Sequence, residues 1–279
     1  MTYLKNQIDI FKKSFKVNKK DLLTVAAYDF LLILVSYIIL FFWGEFIKTI
    51  FSKIGEFDLT KFTEATIEQI SHLKNFYYGT IISLLILMVL LFITWSFFKG
   101  LIWNKILNKH FTFKYFKKFL LLNLACIPIL LLVIFIVLLI SLPYSTLILS
   151  LNSILNKSIA SFIIFIVTYL IFIPIIVYLM FPLSVTYMYF TKNNNIKKSL
   201  KKTFKIVIKK IHLLYFPCLM MSFMLFLISI VTTPLNSLSG PVLPLVSIIL
   251  LILSVIYTAW ARFYIVDVIA KLERTHRKI

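Results

Sequence analysis

Ionisable side chains buried in apolar sequence are where chemistry would be found, and two stand out. Asp29 lies within "LLTVAAYDFLLILVSYIILFFW" and Arg262 within "YTAWARFYIVD". Asp29 is eight residues beyond Asp21, about 12 Å along a helix, and Arg262 is five residues before Asp267, about 7 Å. A charge at that depth in a lipid-facing helix is costly, so it turns inward to a partner or marks a pathway. The pair is expected to meet between the first and last apolar segments as a locking ion pair. An ion or substrate site is the alternative, and Asp267 offers Arg262 a competing partner on its own helix.

Other chemistry lacks its residues. His72, His110, His212 and His276 are scattered, with no Cys, Asp or Glu at metal-ligand spacing. No Ser-His-Asp set or carboxylate pair suggests a nucleophile or a general acid and base. The glycines stand alone, so no loop cradles phosphate. Cys126 and Cys218 both fall in apolar runs, where a thiol acts as a small hydrophobe. The expectation is a protein without catalysis, metal or cofactor.

These residues are positioned by six long apolar runs: Leu22–Trp43, Gly79–Phe98, Phe119–Leu142, Ala160–Phe190, Leu213–Thr233 and Val242–Val266. The chain is 61% hydrophobic and 14% charged, whereas a soluble domain averages about 25% charged. About 20 apolar residues of helix cross a bilayer core, so the fold class is all-α: a polytopic membrane bundle of six transmembrane helices. The first run is too long, and lacks a small-x-small site, to be a cleavable signal. The longest other stretch, residues 44–78, is too short for a soluble core, which leaves one integral membrane domain over 1–279. A short outer helix is expected in it, with Leu59, Phe62, Thr66, Ile70, Leu73 and Tyr77 at helical spacing. The long fourth run is expected to tilt, or to kink at Pro174 or Pro182.

The net charge of +20 is unevenly placed. Lysines crowd the segments before the first run, between the second and third (Lys99 to Lys118) and between the fourth and fifth (Lys192 to Lys210). The tail adds Lys271, Arg274, Arg277 and Lys278. The alternate connections are acidic, nearly neutral or uncharged. Basic residues in short loops mark the cytoplasmic side, which puts both termini inside. The charge therefore reads as topology, and no nucleic-acid motif accompanies it.

A short element recurs: "KKSFKVNKKDLL" at 12–23, "TFKYFKKFLLL" at 112–122 and "KKTFKIVIKKIHLL" at 201–214. Each is a hydroxyl residue, Phe, Lys and a Lys pair ahead of a span, at Ser14, Thr112 and Thr203. The reading is three pseudo-repeats, about 1–98, 99–190 and 191–279, each one amphipathic helix plus two spans. Cys126–Pro128 and Pro217–Cys218 sit at matching depth in the second and third, where the prolines are expected to kink both helices alike. In the third copy Leu200, Phe204, Val207, Ile208 and Ile211 form an apolar stripe, and in the first Leu4, Ile8, Phe11 and Phe15 do; in the middle copy Tyr115 and Phe119 fall off the stripe. Such helices lie in the membrane surface with lysines toward anionic headgroups. The lipid-contact residues are Lys12, Lys13, Lys16, Lys117, Lys118, Lys201, Lys202, Lys205 and Lys209.

The pattern resembles a loose group of prokaryotic six-span proteins, including the membrane domain fused to some glycerophosphodiester phosphodiesterases. The likeness rests on "SLKKTFKIVIKK" before a span and the aromatic last span "YTAWARFYIVD". The soluble hydrolase domain is absent, so no catalytic activity carries over. Only three of the 30 basic residues are arginine (Arg262, Arg274 and Arg277), a bias that with abundant Ile, Asn and Phe suits an AT-rich prokaryotic genome. The functional expectation is an interaction, assembly or lipid-contacting protein of the cytoplasmic membrane. Its partners are anionic lipids and a membrane or cytoplasmic protein yet to be named. A small-solute or ion transporter with a pathway near Asp29 and Arg262 is the alternative.

Overall fold

A computed structural model describes residues 2–52, 67–209, 211–236 and 243–276. All regular elements among them are helical: α1 (Thr2–Ser14), α2 (Lys19–Ser52), α3 (Ile67–Ile106), α4 (Phe113–Ile154), α5 (Lys157–Val167), α6 (Ile173–Asn193), α7 (Ile196–Lys209), α8 (Ile211–Asn236) and α9 (Leu243–His276). A five-residue π-helical turn, Thr168–Phe172, joins α5 to α6. Six segments are long and apolar enough to cross a membrane, the fourth being α5, the π turn and α6 together. The protein is a membrane-embedded all-helical chain.

The helix ends are written in local sequence. Three starts carry a side-chain oxygen that accepts from a backbone N–H: Asn18 from Lys20, Thr112 from Tyr115 and Asn195 from Lys198. Such caps satisfy donors that have no intrahelical acceptor. α3 stops at Asn108, which adopts a left-handed φ of 50°. There Lys109 N–H reaches Asn104 O and Asn108 N–H reaches Lys105 O, closing the last turn as asparagine at this position does. Asn194 ends α6 with the same φ of 50°.

Some boundaries differ from expectation. From Ile67 onward the outer helix is one piece with the second span, while Leu59, Phe62 and Thr66 lie outside the described residues. The middle basic element has no separate helix, because Thr112 caps a 42-residue α4 that continues into the third span. At Pro174 the chain forms the π turn just upstream. A proline ring clashes with the carbonyl one turn back, and widening to i→i+5 bonding, as in Ile173 N–H to Thr168 O, makes room for it.

The chain forms two compact units, residues 1–27 with 100–279, and residues 28–99. The core of the first unit surrounds the C-terminal half of α6, where every residue from Val185 to Thr191 is buried. From α4, Phe119 packs on Tyr187 and Phe190, and Tyr115 on Phe190. From α3, Trp103 meets Tyr187. Gly100 makes this possible: a Cβ there would sit 3.1 Å from the Phe111 ring and 3.5 Å from that of Tyr115. α7 folds back along α6, with Thr186 donating to Thr203 (3.1 Å) and Tyr178 to Val207 O (3.3 Å).

α1 packs on α9. Phe11 meets Trp260 and Tyr264 edge-on, Phe15 stacks on Trp260, and Trp260 Nε1–H donates to Ser14 Oγ (3.1 Å). Asp21 pairs with Lys105 at 2.7 Å, tying the start of α2 to the end of α3. Away from this lysine-rich end, burial is sparse. In α4 all buried residues lie between Tyr115 and Val133, and only 6% of the most apolar window of the fourth span is buried.

In the second unit α2 and α3 run antiparallel. Asp29 accepts from Lys99 (3.2 Å), and Trp43 Nε1–H donates to Ser83 Oγ (3.3 Å). Around the second contact a groove of about 560 Å³ separates the helices, lined by apolar residues that include Ile39, Phe42, Ile82 and Leu90.

The contrast between dense and sparse burial gives a matched comparison. Phe190→Ala is expected to cost about 3–5 kcal/mol, while Phe135→Ala, on the exposed face of α4, changes little. Thermal unfolding of both variants in one detergent checks this.

Candidate functional site

α7 divides into three faces rather than two. Ser199, Thr203, Ile206 and Val207 are buried, at spacings that align on one side of a helix. Leu200, Phe204 and Ile208 recur every fourth residue next to that side, and Phe204 (45% exposed) and Ile208 (68%) project from the protein. Lys197, Lys198, Lys201, Lys202 and Lys205 fill the remaining arc and are exposed. The stripe read from the sequence thus splits: Val207 turns to α6, and Phe204 and Ile208 do not. Small hydroxyl residues make the split, because Thr203 bonds to Thr186 and lets the two helices close up.

α1 is built the same way. Gln7, Ile10 and Ser14 are buried, Ile8 and Phe15 are exposed, and Lys12, Lys13 and Lys16 point to solvent. Ser14 repeats the role of Thr203, accepting from Trp260 and donating to Phe11 O at 2.6 Å. At the start of α4, Thr112 caps the helix and Phe113 is 68% exposed, with Lys117 Nζ 4.8 Å above its ring. Lys117 is exposed and Lys118 partly so, while the Lys209 side chain lies outside the described residues.

Lys202 has a second engagement. Its ammonium bonds Glu273 of α9 and lies 4.2 Å over the Tyr189 ring. Tyr189 donates to the same carboxylate (2.9 Å), and Lys192 approaches its other oxygen at 3.9 Å. Lys109 donates to Lys192 O (3.0 Å) at the end of α6, where a cation complements the helix dipole. One acid thus holds α6, α7 and α9 together. Nothing in the sequence pattern singled out Glu273, since it lies in a polar tail.

A buried chain joins α3, α4 and α6. Asn104, which donates to Gly100 O at 2.8 Å, also reaches the Tyr115 hydroxyl. Thr191 donates to Tyr187 O, so Tyr115 is the donor in its 2.8 Å bond to Thr191. Tyr115 and Phe119, which fit no surface stripe, are core residues.

Of the deep charges, Asp29 is 5% exposed and its carboxylate accepts from Lys99, itself 8% exposed and 4.6 Å over the Trp95 ring. Counted among connecting lysines, Lys99 is instead part of α3 and buried. Arg262 is buried on α9 between Trp260 and Tyr264, and Asp267 one turn later is exposed. Cys126 and Cys218 are both buried with free thiols. Among the described residues no three His, Cys, Asp or Glu side chains converge as metal ligands.

The first unit also has a pocket of about 320 Å³ where the π turn faces α8, lined by Leu170, Ile171, Pro174, Ile175, Tyr178, Tyr215 and Cys218. Taken together, the arrangement offers ammonium groups, exposed aromatics and apolar grooves. These are the contacts of a protein working at a lipid boundary. The fold and these surfaces define an α-helical integral membrane protein. In comparison with known proteins, the chain matches no family model, no curated protein and no solved structure.

Removing one partner of a buried ion pair takes away compensation from the other charge. Asp29→Leu is therefore expected to lower the melting temperature, and D29L/K99M to recover most of the loss. A double-mutant cycle in detergent reads the coupling, and additive effects would remove the pair as a stabilising contact.

Proposed function

We propose that this is a non-catalytic protein of a prokaryotic cytoplasmic membrane, with both termini inside, that engages anionic lipid through α1, α7 and the start of α4. The observation that carries the reading is the three-way division of α7. An interfacial helix needs an apolar face for the acyl boundary and a cationic face for the headgroups. α7 keeps both, Leu200, Phe204 and Ile208 beside Lys197, Lys201 and Lys205, while using a third face to pack on α6.

The three basic elements act as pseudo-equivalent copies in this reading. In support, Ser14, Thr112 and Thr203 each take a structural hydrogen bond, and the Phe after each is exposed, at 53%, 68% and 45%. Aromatic and basic side chains together favour the headgroup layer. The resemblance to the membrane domain of glycerophosphodiester phosphodiesterases agrees with a lipid-side role.

Topology and lipid preference are separately testable. With its two native thiols buried, the chain gives a low background for single-cysteine labelling. Lys16→Cys and Lys205→Cys are expected to react with an impermeant maleimide only after cells are opened, and Asn156→Cys in intact cells; the reverse pattern would invert the proposed orientation. In vesicles, phosphatidylglycerol is expected to be enriched over phosphatidylcholine around the native protein. Each lysine neutralised among Lys12, Lys13, Lys201 and Lys205 is expected to weaken that enrichment about fivefold, from roughly 1 kcal/mol per basic residue near an anionic surface.

A further inference from the structure

We propose that the pocket at the π turn is a slot for one acyl chain of an anionic phospholipid whose headgroup is held by Lys201 and Lys205 of α7. The inference rests on the reading of α7 as a leaflet-facing helix and gives that surface a specific occupant.

The slot is a built feature. The π turn lies directly before Pro174, whose ring crowds the preceding turn, and Leu170 and Ile171 belong to it. Pro174 also has no N–H to give to the helix ladder. Across from it α8 contributes Tyr215, which is 60% exposed, and Cys218, which is buried. The rim is fixed to α7, because Tyr178, another lining residue, donates to Val207 O at 3.3 Å. Phe204 and Ile208 are exposed on α7, as Tyr215 is on α8.

Charge and an apolar lining select the occupant. Lys201 and Lys205 each follow a stripe residue by one position, so both lie along the edge of the stripe and are exposed. A phosphate at the lysines leaves its acyl chain the exposed Phe204 and Ile208 and the apolar slot, whose wall residue Tyr178 is bonded to α7. A neutral apolar molecule would make no use of the lysines, and a flat helix from a second copy would leave the slot open.

Phospholipid carrying a diazirine on its acyl chain tests this in nanodiscs of the whole protein, with phosphatidylglycerol and phosphatidylcholine forms compared. Labelling is expected to concentrate on peptides containing residues 170–178 and 215–218, and to be stronger from the phosphatidylglycerol form. Ile171→Trp, a substitution at an exposed wall position, is expected to abolish that labelling while leaving labelling of the other spans unchanged; Leu170→Trp is a second filling variant. K201Q/K205Q is expected to remove the preference for phosphatidylglycerol. Even labelling along all spans, labelling indifferent to both filling variants, or equal labelling from a diazirine fatty acid would overturn the slot. If the phosphatidylglycerol preference persists in K201Q/K205Q, the reading of α7 fails with it. If that preference is lost in K201Q/K205Q but the native slot is unlabelled, the slot alone fails.

Discussion

Water reaches the lysine-rich ends of these helices and lipid surrounds their middles, and that difference decides where the protein can have a core. Between helices in lipid there is no hydrophobic driving force, because acyl chains are as apolar as leucine. Where water is present, covering aromatic surface is favourable at about 25 cal/mol per Å². The first unit follows this division. Trp103, Tyr115, Phe119, Tyr187, Tyr189 and Phe190 pack together close to the lysines, while the apolar middles of α4 and of the fourth span stay largely uncovered. The C-terminal half of α6 is the centre of that core, and α3, α4, α7 and α9 each contribute a side chain to it.

The same division explains the polar contacts. Asn104, Tyr115 and Thr191 form a connected buried chain, and each member satisfies the next. Buried polar groups demand such closure because an unpaired one carries its full desolvation cost. Asp29 and Lys99 meet the same requirement within an otherwise apolar hairpin. A buried pair is weak evidence for net stability, since replacing both charges by apolar residues is often neutral. Its role is better described as fixing which faces of α2 and α3 oppose each other.

The six spans were legible in the sequence because hydropathy over 20 residues is a local property, whereas the caps at Thr112 and Asn195, although equally local, were not read from it. Less legible were features that depend on neighbours. Tyr115 and Phe119 looked misplaced on an amphipathic stripe because the stripe assumed a membrane surface, whereas α4 there faces α6. Lys99 looked like a loop lysine because its charge was counted and its partner could not be. Glu273 gave no signal at all: an acid in a basic tail looks ordinary until Lys192, Lys202 and Tyr189 are found around it. The π turn was foreshadowed by Pro174, although a proline in a long apolar run fixes only that the ladder is interrupted and not how.

The three-faced helices show why hydroxyl residues stand where apolar ones would be expected. A two-faced amphipathic helix can float on a leaflet or pack on a protein, but its single apolar face cannot do both. In α7 the packed face is narrow and partly polar, with Ser199 and Thr203 approaching α6 closely and Thr203 bonding to Thr186. Because that contact uses small side chains, Phe204 and Ile208 are left exposed, which the proposed lipid contact requires. Serine at position 14 gives α1 the same economy, since its hydroxyl receives the Trp260 indole and leaves Phe15 at the surface. Threonine at 112 works differently, capping α4 and so making the basic element continuous with its span. Replacing Thr203 with a larger apolar residue would widen the packed face at the expense of close approach to α6. At positions 14 and 203 the hydroxyl therefore marks where a basic helix is bound to the bundle while its exposed apolar side chains stay free of that contact.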